Sequence, residues 1–329
     1  MNASVPDRNL ALEIVRVTEA AALAAARWVG AGDKIAADQA AVDAMRTMFD
    51  TVSMDGVVVI GEGEKDEAPM LYNGEHVGDG TGPRVDVAVD PLEGTTLTAR
   101  GMPNALAVVA LAEQGTMFDP GPCVYMEKMA GGPDIADLLS LEDPMEDVLK
   151  RVADKRGVLI GDLIVVILDR PRHNEMVERI RRAGARIRFI SDGDVAGALL
   201  AARDGTGVDL LWGIGGTPEG VLSATAIKCL GGSLIGRLWP RDEGEASRAR
   251  AAGYDLERIL YLDDLVATDN CFFAATGVTD GSLLDGVRYD RGGASTHSMV
   301  MRASSGTVRI IQARHDRAKL RSIAGERYG

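Results

Sequence analysis

The chain has 329 residues, 46% of them hydrophobic, 26% charged and 4% aromatic, with 39 glycines and a formal net charge of −13. That length and apolar content support a full core in one large or two ordinary domains and exclude a disordered chain, and many glycines with few aromatics fit an α/β protein rich in tight turns. The acidic balance without a basic stripe excludes nucleic acid as a partner, and the lack of an apolar leader or a run of membrane length leads us to expect a cytoplasmic protein with no membrane partner.

Residues 8–29 carry Leu12, Val15, Thr18, Ala22 and Ala26 at helical spacing, and Gly30-Ala31-Gly32 ends that helix. A second helix is predicted over 34–49. Strands follow at 57–60, at 85–89, where Val85, Val87 and Val89 alternate with Asp86, Ala88 and Asp90, and at 106–112. Residues 119–146, rich in Pro, Gly and acidic residues, read as irregular. From about 150 the pattern alternates. Strands are expected at 163–168, 186–190, 208–212 and 233–236, with helices at 174–183, 194–203 and 218–230. Residues 241–258 read as a polar, exposed helical insertion, and strands at 271–276, 297–303 and 307–312 close the chain. A domain boundary is expected near 155. Cys123, Cys229 and Cys271 have neither the even count of a disulfide framework nor the spacing of a zinc site.

Chemistry-bearing residues recur at the ends of these elements. Asp38 sits on the second helix, three residues after Ile35 and four before Val42, on the face shared with Met45 and Phe49; it is either an ion-paired core carboxylate or a metal ligand. Gly61-Glu62-Gly63-Glu64 follows the first strand as a polar loop or as exposed acids at a strand end. In Asp90-Pro91-Leu92-Glu93-Gly94-Thr95, Pro91 is expected to turn the chain out of its strand. Two carboxylates within a turn repel unless a cation lies between them, and oxygen ligands of this kind suit Mg²⁺ or Mn²⁺. Glu93 as a helix-start acid remains open.

Arg170-Pro171-Arg172-His173 places two guanidiniums past a strand, suited to a phosphate, and His173 could assist or cap the next helix. Asp192-Gly193-Asp194 could accept from sugar hydroxyls, cap a helix, or both. Gly213-Ile214-Gly215-Gly216-Thr217-Pro218-Glu219-Gly220 lacks the dinucleotide spacing, and Glu219 would repel a pyrophosphate there. Residues 231–238 lack the Lys and Ser/Thr of a nucleotide phosphate loop.

These segments, with Tyr125-Met126-Glu127-Lys128, resemble the class II fructose-1,6-bisphosphatases, in order and over nearly the whole chain. Asp-Pro-x-acid-Gly-Thr marks the wider lithium-sensitive phosphatases; the Gly-Glu-Gly-Glu and Gly-Gly-x-Pro-Glu-Gly segments make the narrower resemblance specific. It implies a layered α-β-α-β-α sugar-phosphatase fold with mixed sheets, divided into an N-terminal α+β domain (1–155) and a C-terminal α/β domain (156–329), and a homodimer or homotetramer. It implies Asp38 and Glu62 on one divalent metal, and Asp90, Glu93 and Glu219 on a second. It implies substrate contacts at Glu93, Gly94, Thr95, Tyr125, Arg170, Pro171, Arg172, Asp192, Gly193, Asp194 and Gly216, with Arg170 replacing a lysine expected in many relatives. The implied reaction removes the 1-phosphate of fructose 1,6-bisphosphate, a step of gluconeogenesis, with Thr95, Glu62 and Asp90 as catalytic groups. Sedoheptulose-1,7-bisphosphatase, inositol-phosphate phosphatase and a non-catalytic sugar-phosphate sensor are the alternatives.

Overall fold

The computed structural model describes residues 9–63 and 70–316. Glu64 and the first residue of the expected opening helix lie outside the described residues. Five layers stack as helix, sheet, helix, sheet, helix.

The first sheet is built from β1 (Asp55–Ile60), β2 (His76–Val77), β3 (Arg84–Glu93) and β4 (Leu106–Glu113), with β10 (Phe272–Gly277), β11 (Arg288–Asp290), β12 (Gly293–Arg302) and β13 (Thr307–Asp316). Its order is β11-β12-β10-β4-β3-β1-β2, with β13 also paired to β12. The second sheet holds β5 (Tyr125–Gly131), β6 (Ile164–Leu168), β7 (Arg186–Ile190), β8 (Leu210–Gly216) and β9 (Ser233–Leu238), in the order β7-β6-β8-β5-β9. Both sheets are mixed: β1 runs parallel to β3, and β6 to β7 and β8, whereas β5 runs antiparallel to β8 and β9.

Helices α1 (Ala11–Ala26) and α2 (Lys34–Phe49) bury Ile14, Val42, Met45 and Phe49 with Val85, Val87 and Val89 of β3. The other parity of β3, Ala88, faces the central layer. That layer is α6 (Asp194–Ala202) and α7 (Thr217–Leu230), so apolar that nearly every residue is buried between the two sheets. A helix hydrophobic all round belongs in such a place. The outer layer, α4 (Met145–Arg156) and α5 (Asn174–Ala183), lays Val148, Leu149 and Ile180 on the far face of the second sheet. The short α3 (Thr95–Arg100), α8 (Glu243–Ala251) and α9 (Leu262–Leu265) decorate this stack.

Several expectations are corrected. Residues 119–146 are not irregular throughout: β5 runs through them, its charged Glu127 and Lys128 compensated by partners from other elements. Strand β3 does not end at Pro91; it continues to Glu93 because a bulge between Asp90 and Glu93 accommodates the missing N–H. Likewise β8 extends through the glycines to Gly216, paired residue by residue with β5. The insertion at 241–258 is anchored: Glu245 is fully buried and accepts from the Val124 and Arg241 backbone N–H groups at 2.7 and 2.9 Å. A division at 155 does not follow the sheets, since β5 before it pairs with β8 and β9 after it, and the first sheet takes strands from both ends of the chain.

Candidate active site

Strand ends and helix starts from both halves of the chain converge on one cavity of about 340 Å³. It is lined by Asp38, Glu62, Asp90, Glu93, Gly94, Thr95, Asp192 and Glu219, among others. Each arrives for a local reason. Asp38 lies in the second turn of α2, whose N-terminus is capped by Asp33 accepting from the Ala36 N–H at 3.0 Å. Its neighbours on the buried face are Ala37, Ala41 and Met45; Ile35, expected beside it, is 83% exposed, at the start of α2, where none of Lys34, Ile35 and Ala36 is buried. Glu62 lies one residue beyond β1, after Gly61. Asp90 is delivered by β3 on the parity that faces the central layer, and its Oδ1 accepts from the Leu92 N–H at 3.1 Å across the bulge. Gly94, in the left-handed region at φ 89°, turns the chain from β3 into α3 and places Thr95 on the cavity wall. Glu219 lies in the first turn of α7.

Asp90, Glu93 and Glu219 offer oxygens that all lie within 4.8 Å of one another. Burial and then mutual repulsion raise every carboxyl of this group. Asp38 is pushed up to about 6 by burial and by Asp90. Glu62 reaches about 8 through burial and then Asp38, Asp90 and Glu219. Glu219 rises to about 7 through burial and Asp194, and Asp90 and Glu93 are also raised, chiefly by burial. Carboxyls that can ionise only against each other could hold a cation between them. The donor set is all oxygen, and Glu219 Oε2 is buried with no hydrogen-bond partner among the described residues. Both features fit a hard divalent ion. Glu93 is held from behind, its Oε1 accepting from the Val195 N–H at 3.0 Å.

Tyr125, Arg170, Pro171, Arg172, Gly193, Asp194 and Gly216 do not line this cavity; Tyr125 and Gly216 lie on the second sheet, Arg170, Pro171 and Arg172 follow β6, and Gly193 and Asp194 begin α6. Tyr125 is opposite Gly216 in the β5–β8 register, and the Arg172 guanidinium lies 4.7 Å from the Tyr125 ring. Two Arg172 nitrogens donate to the Ile214 carbonyl, at 3.1 and 2.8 Å, so much of its fork is already used within the fold. Arg170 lies close enough to Asp192 to favour its ionised form, against a burial effect that raises that carboxyl. Gly193, at φ 83°, starts α6, and Pro171 opens the single turn Pro171–His173. His173 stands at the N-cap of α5 but its side chain makes no cap bond there and does not line the cavity: its ring is buried, Nδ1 bonds the Leu168 carbonyl at 2.7 Å, and Nε2 accepts from the Ile214 N–H at 2.8 Å. It ties β6 to β8 and so fixes where Arg172 emerges.

Two residues escaped the sequence reading. Lys128 is a buried cation 2.7 Å from Asp194. Lys34 donates to Thr96 Oγ1 at 2.8 Å, next in sequence to the cavity-lining Thr95. Lysine on an alternating strand signals exposure, and only the register against β8 shows that Lys128 faces α6.

Nearly the whole described architecture falls within one family match. Residues 8–315 match the family described as bacterial fructose-1,6-bisphosphatase, glpX-encoded. A protein of Haemophilus influenzae named fructose-1,6-bisphosphatase class 2 is 47% identical over 322 residues, covering 94% of this chain and 96% of the relative. An Escherichia coli K12 protein named fructose-1,6-bisphosphatase 1 class 2 is 45% identical over 321 residues, covering 94% and 95%.

Proposed function

The chain belongs to the bacterial fructose-1,6-bisphosphatase family, and from that premise we propose that it hydrolyses the 1-phosphate of fructose 1,6-bisphosphate, releasing fructose 6-phosphate and inorganic phosphate. The observation that carries this reading is the gathering of Asp38, Glu62, Asp90, Glu93 and Glu219, from distant parts of the sequence, with the Thr95 hydroxyl around one cavity. Bound Mg²⁺ or Mn²⁺ would neutralise phosphoryl oxygens and acidify an attacking water.

The remaining work falls to the chain's own groups. Asp38 and Glu62 would hold one ion, and Asp90, Glu93 and Glu219 another. Thr95 Oγ1, at the start of α3, would orient the water for in-line attack, with a Glu62 or Asp90 carboxylate taking its proton. Glu93, Gly94 and Thr95 would border the reacting phosphate. Asp192, Gly193 and Asp194 would form the sugar side of the site. Tyr125, Gly216, Pro171 and the free edges of Arg170 and Arg172 would hold the distal phosphate, whose binding positions the reacting one.

Among the described residues no helix is long and apolar enough to cross a membrane. A cytoplasmic setting is part of the reading, supported by three buried cysteines, none in a disulfide. Assembly as a homodimer or homotetramer rests on the family resemblance. The test is phosphate release from fructose 1,6-bisphosphate, sedoheptulose 1,7-bisphosphate and inositol phosphates, with Mn²⁺, with Mg²⁺ and after EDTA. Preferred release from the fructose substrate only with added metal is expected; full activity in metal-free protein would sink the metal-assisted reaction.

A further inference from the structure

Lys128 is 1% exposed, on β5, directly behind the carboxylate cluster. Its Nζ lies 2.7 Å from Asp194 Oδ2 and donates to the Gly216 carbonyl at 2.9 Å. Asp194, the first residue of α6, is 5% exposed, and its charge is felt by Asp90, Glu93 and Glu219 alike. A fourth carboxylate so near three metal-compatible ones would ordinarily join them. Yet only Asp90, Glu93 and Glu219 bring their oxygens within mutual ligand distance. What sets Asp194 apart is the ammonium against it. The fold makes room for this pair: a Cβ on Gly215 would lie 1.9 Å from Asp194 Oδ2 and 3.0 Å from Lys128 Cε, so β8 gives up a side chain there.

We propose that Lys128 is a positioning residue that holds the Asp194 carboxylate out of the metal-ligand set and keeps it on the substrate side of the site. The assignment rests on the metal-centre reading above. Buried ion pairs more often fix an arrangement than add stability, and here the arrangement is a division of labour among four acids.

The experiment is calorimetric titration of the metal-free full chain with Mn²⁺ alone, for the parent protein, Lys128→Met, Asp194→Asn and the double variant. In Lys128→Met the freed Asp194 adds a ligand charge, and Mn²⁺ binds about tenfold tighter. Structural damage would loosen binding, so tightening is diagnostic. In the double variant a neutral pair replaces a neutral pair, and affinity stays within about threefold of the parent. The double variant leaves no buried charge unpaired, so it decides the matter if Lys128→Met does not fold. Three results overturn the assignment while leaving the metal centre intact: Lys128→Met no tighter than the parent, a double variant about tenfold weaker, or the same gain from Asp194→Asn to the double variant, which would be the lysine's field acting alone. Absence of Mn²⁺ binding by the parent overturns the metal centre itself and this assignment with it.

Discussion

Gly216→Ala separates the placement of Glu219 from the folding around it. Gly216 has φ −61° and ψ 140°, a conformation alanine adopts freely. The only severe obstacle is chemical: a Cβ there would lie 1.7 Å from Glu219 Oε2 and 2.5 Å from its carboxyl carbon. Ordinary contact distances near ~3.5 Å require the carboxylate to swing away by about 1.5–2 Å. Because the clashing atoms end a flexible side chain, the cost to folding is small, about 1 kcal/mol. A misplacement of ~1 Å in a catalytic constellation costs on the order of 10²-fold, or about 2.7 kcal/mol of transition-state stabilisation. Gly216→Ala is therefore expected to unfold within a few degrees of the parent, bind Mn²⁺ more weakly, and lose about a hundredfold in kcat when phosphate release is measured. Glu219→Gln, which keeps the shape and removes the charge, should fall by a similar factor. A Gly216→Ala enzyme with kcat within about threefold and unaltered Mn²⁺ affinity would show that Glu219 is not a ligand, and the reasoning from its buried, partnerless oxygen would fail.

Glu93→Gln preserves an acceptor for the Val195 N–H but removes a ligand charge, so turnover should drop by orders of magnitude with the thermal midpoint little changed. Thr95→Ala should do the same through the lost hydroxyl; wild-type turnover in either would take that residue out of the chemistry. Arg172→Ala should raise KM for the bisphosphate more than it lowers kcat, and an unchanged KM removes Arg172 from the substrate site. In metal-free protein Asp38, Glu219 and Glu62 titrate near 6, 7 and 8, above their ordinary values of 3.8 to 4.5. The folded state then holds protons that the unfolded chain has released, so stability is fullest at low pH and falls as pH rises from about 4.5 through about 8, by a few kcal/mol. Adding Mn²⁺ should release protons and restore stability most at the alkaline end; a metal-free thermal midpoint that stays flat from about pH 5 to 8 would contradict the crowding of these carboxylates.

The fold was legible wherever periodicity met a uniform environment. Val85, Val87 and Val89 declared β3, and the strand–helix alternation after about residue 150 declared α5 and α7. It was hidden wherever a distant partner changed the meaning of a residue. Pro, Gly and acidic residues made 119–146 read as irregular, and the charged Glu127 and Lys128 of β5 are neutralised by Arg237 and Asp194, which are far away in sequence. Pro91 suggested an exit from the sheet because the bulge that admits it exists only against β4. Asp38 was placed on its helix face with Ile35, Val42, Met45 and Phe49; the last three are buried but Ile35 is exposed, and in the turns around Asp38 the buried residues are Ala37 and Ala41, where alanine carries little signal of side. The five acids could be named from their motifs, but no single-segment reading could say that a strand from one sheet and a helix from between the sheets would point them at the same space.

The acidity of the site and of the chain is a working part of the same arrangement. A chain of net charge −13 with seven carboxylates at and behind one cavity repels a bisphosphate at every distance over which its field reaches. Among the described residues, side-chain cations near the site include Lys34 and Arg170, both close to Asp192, Arg172 against Tyr125, and Lys128, which is occupied by Asp194. Two of these, Arg172 and Lys128, are tied to backbone carbonyls of β8 and cannot swing in to neutralise the cluster. On the proposed reading the phosphate that reacts would meet its positive charge on ions held by the carboxylates, while the distal phosphate would meet the arginines beyond β6. Substrates with one phosphate would lose the arginine contact, and substrates with none would lose both. Selectivity for a sugar bearing a phosphate at each end would then follow from where the cations sit, before any hydroxyl is read.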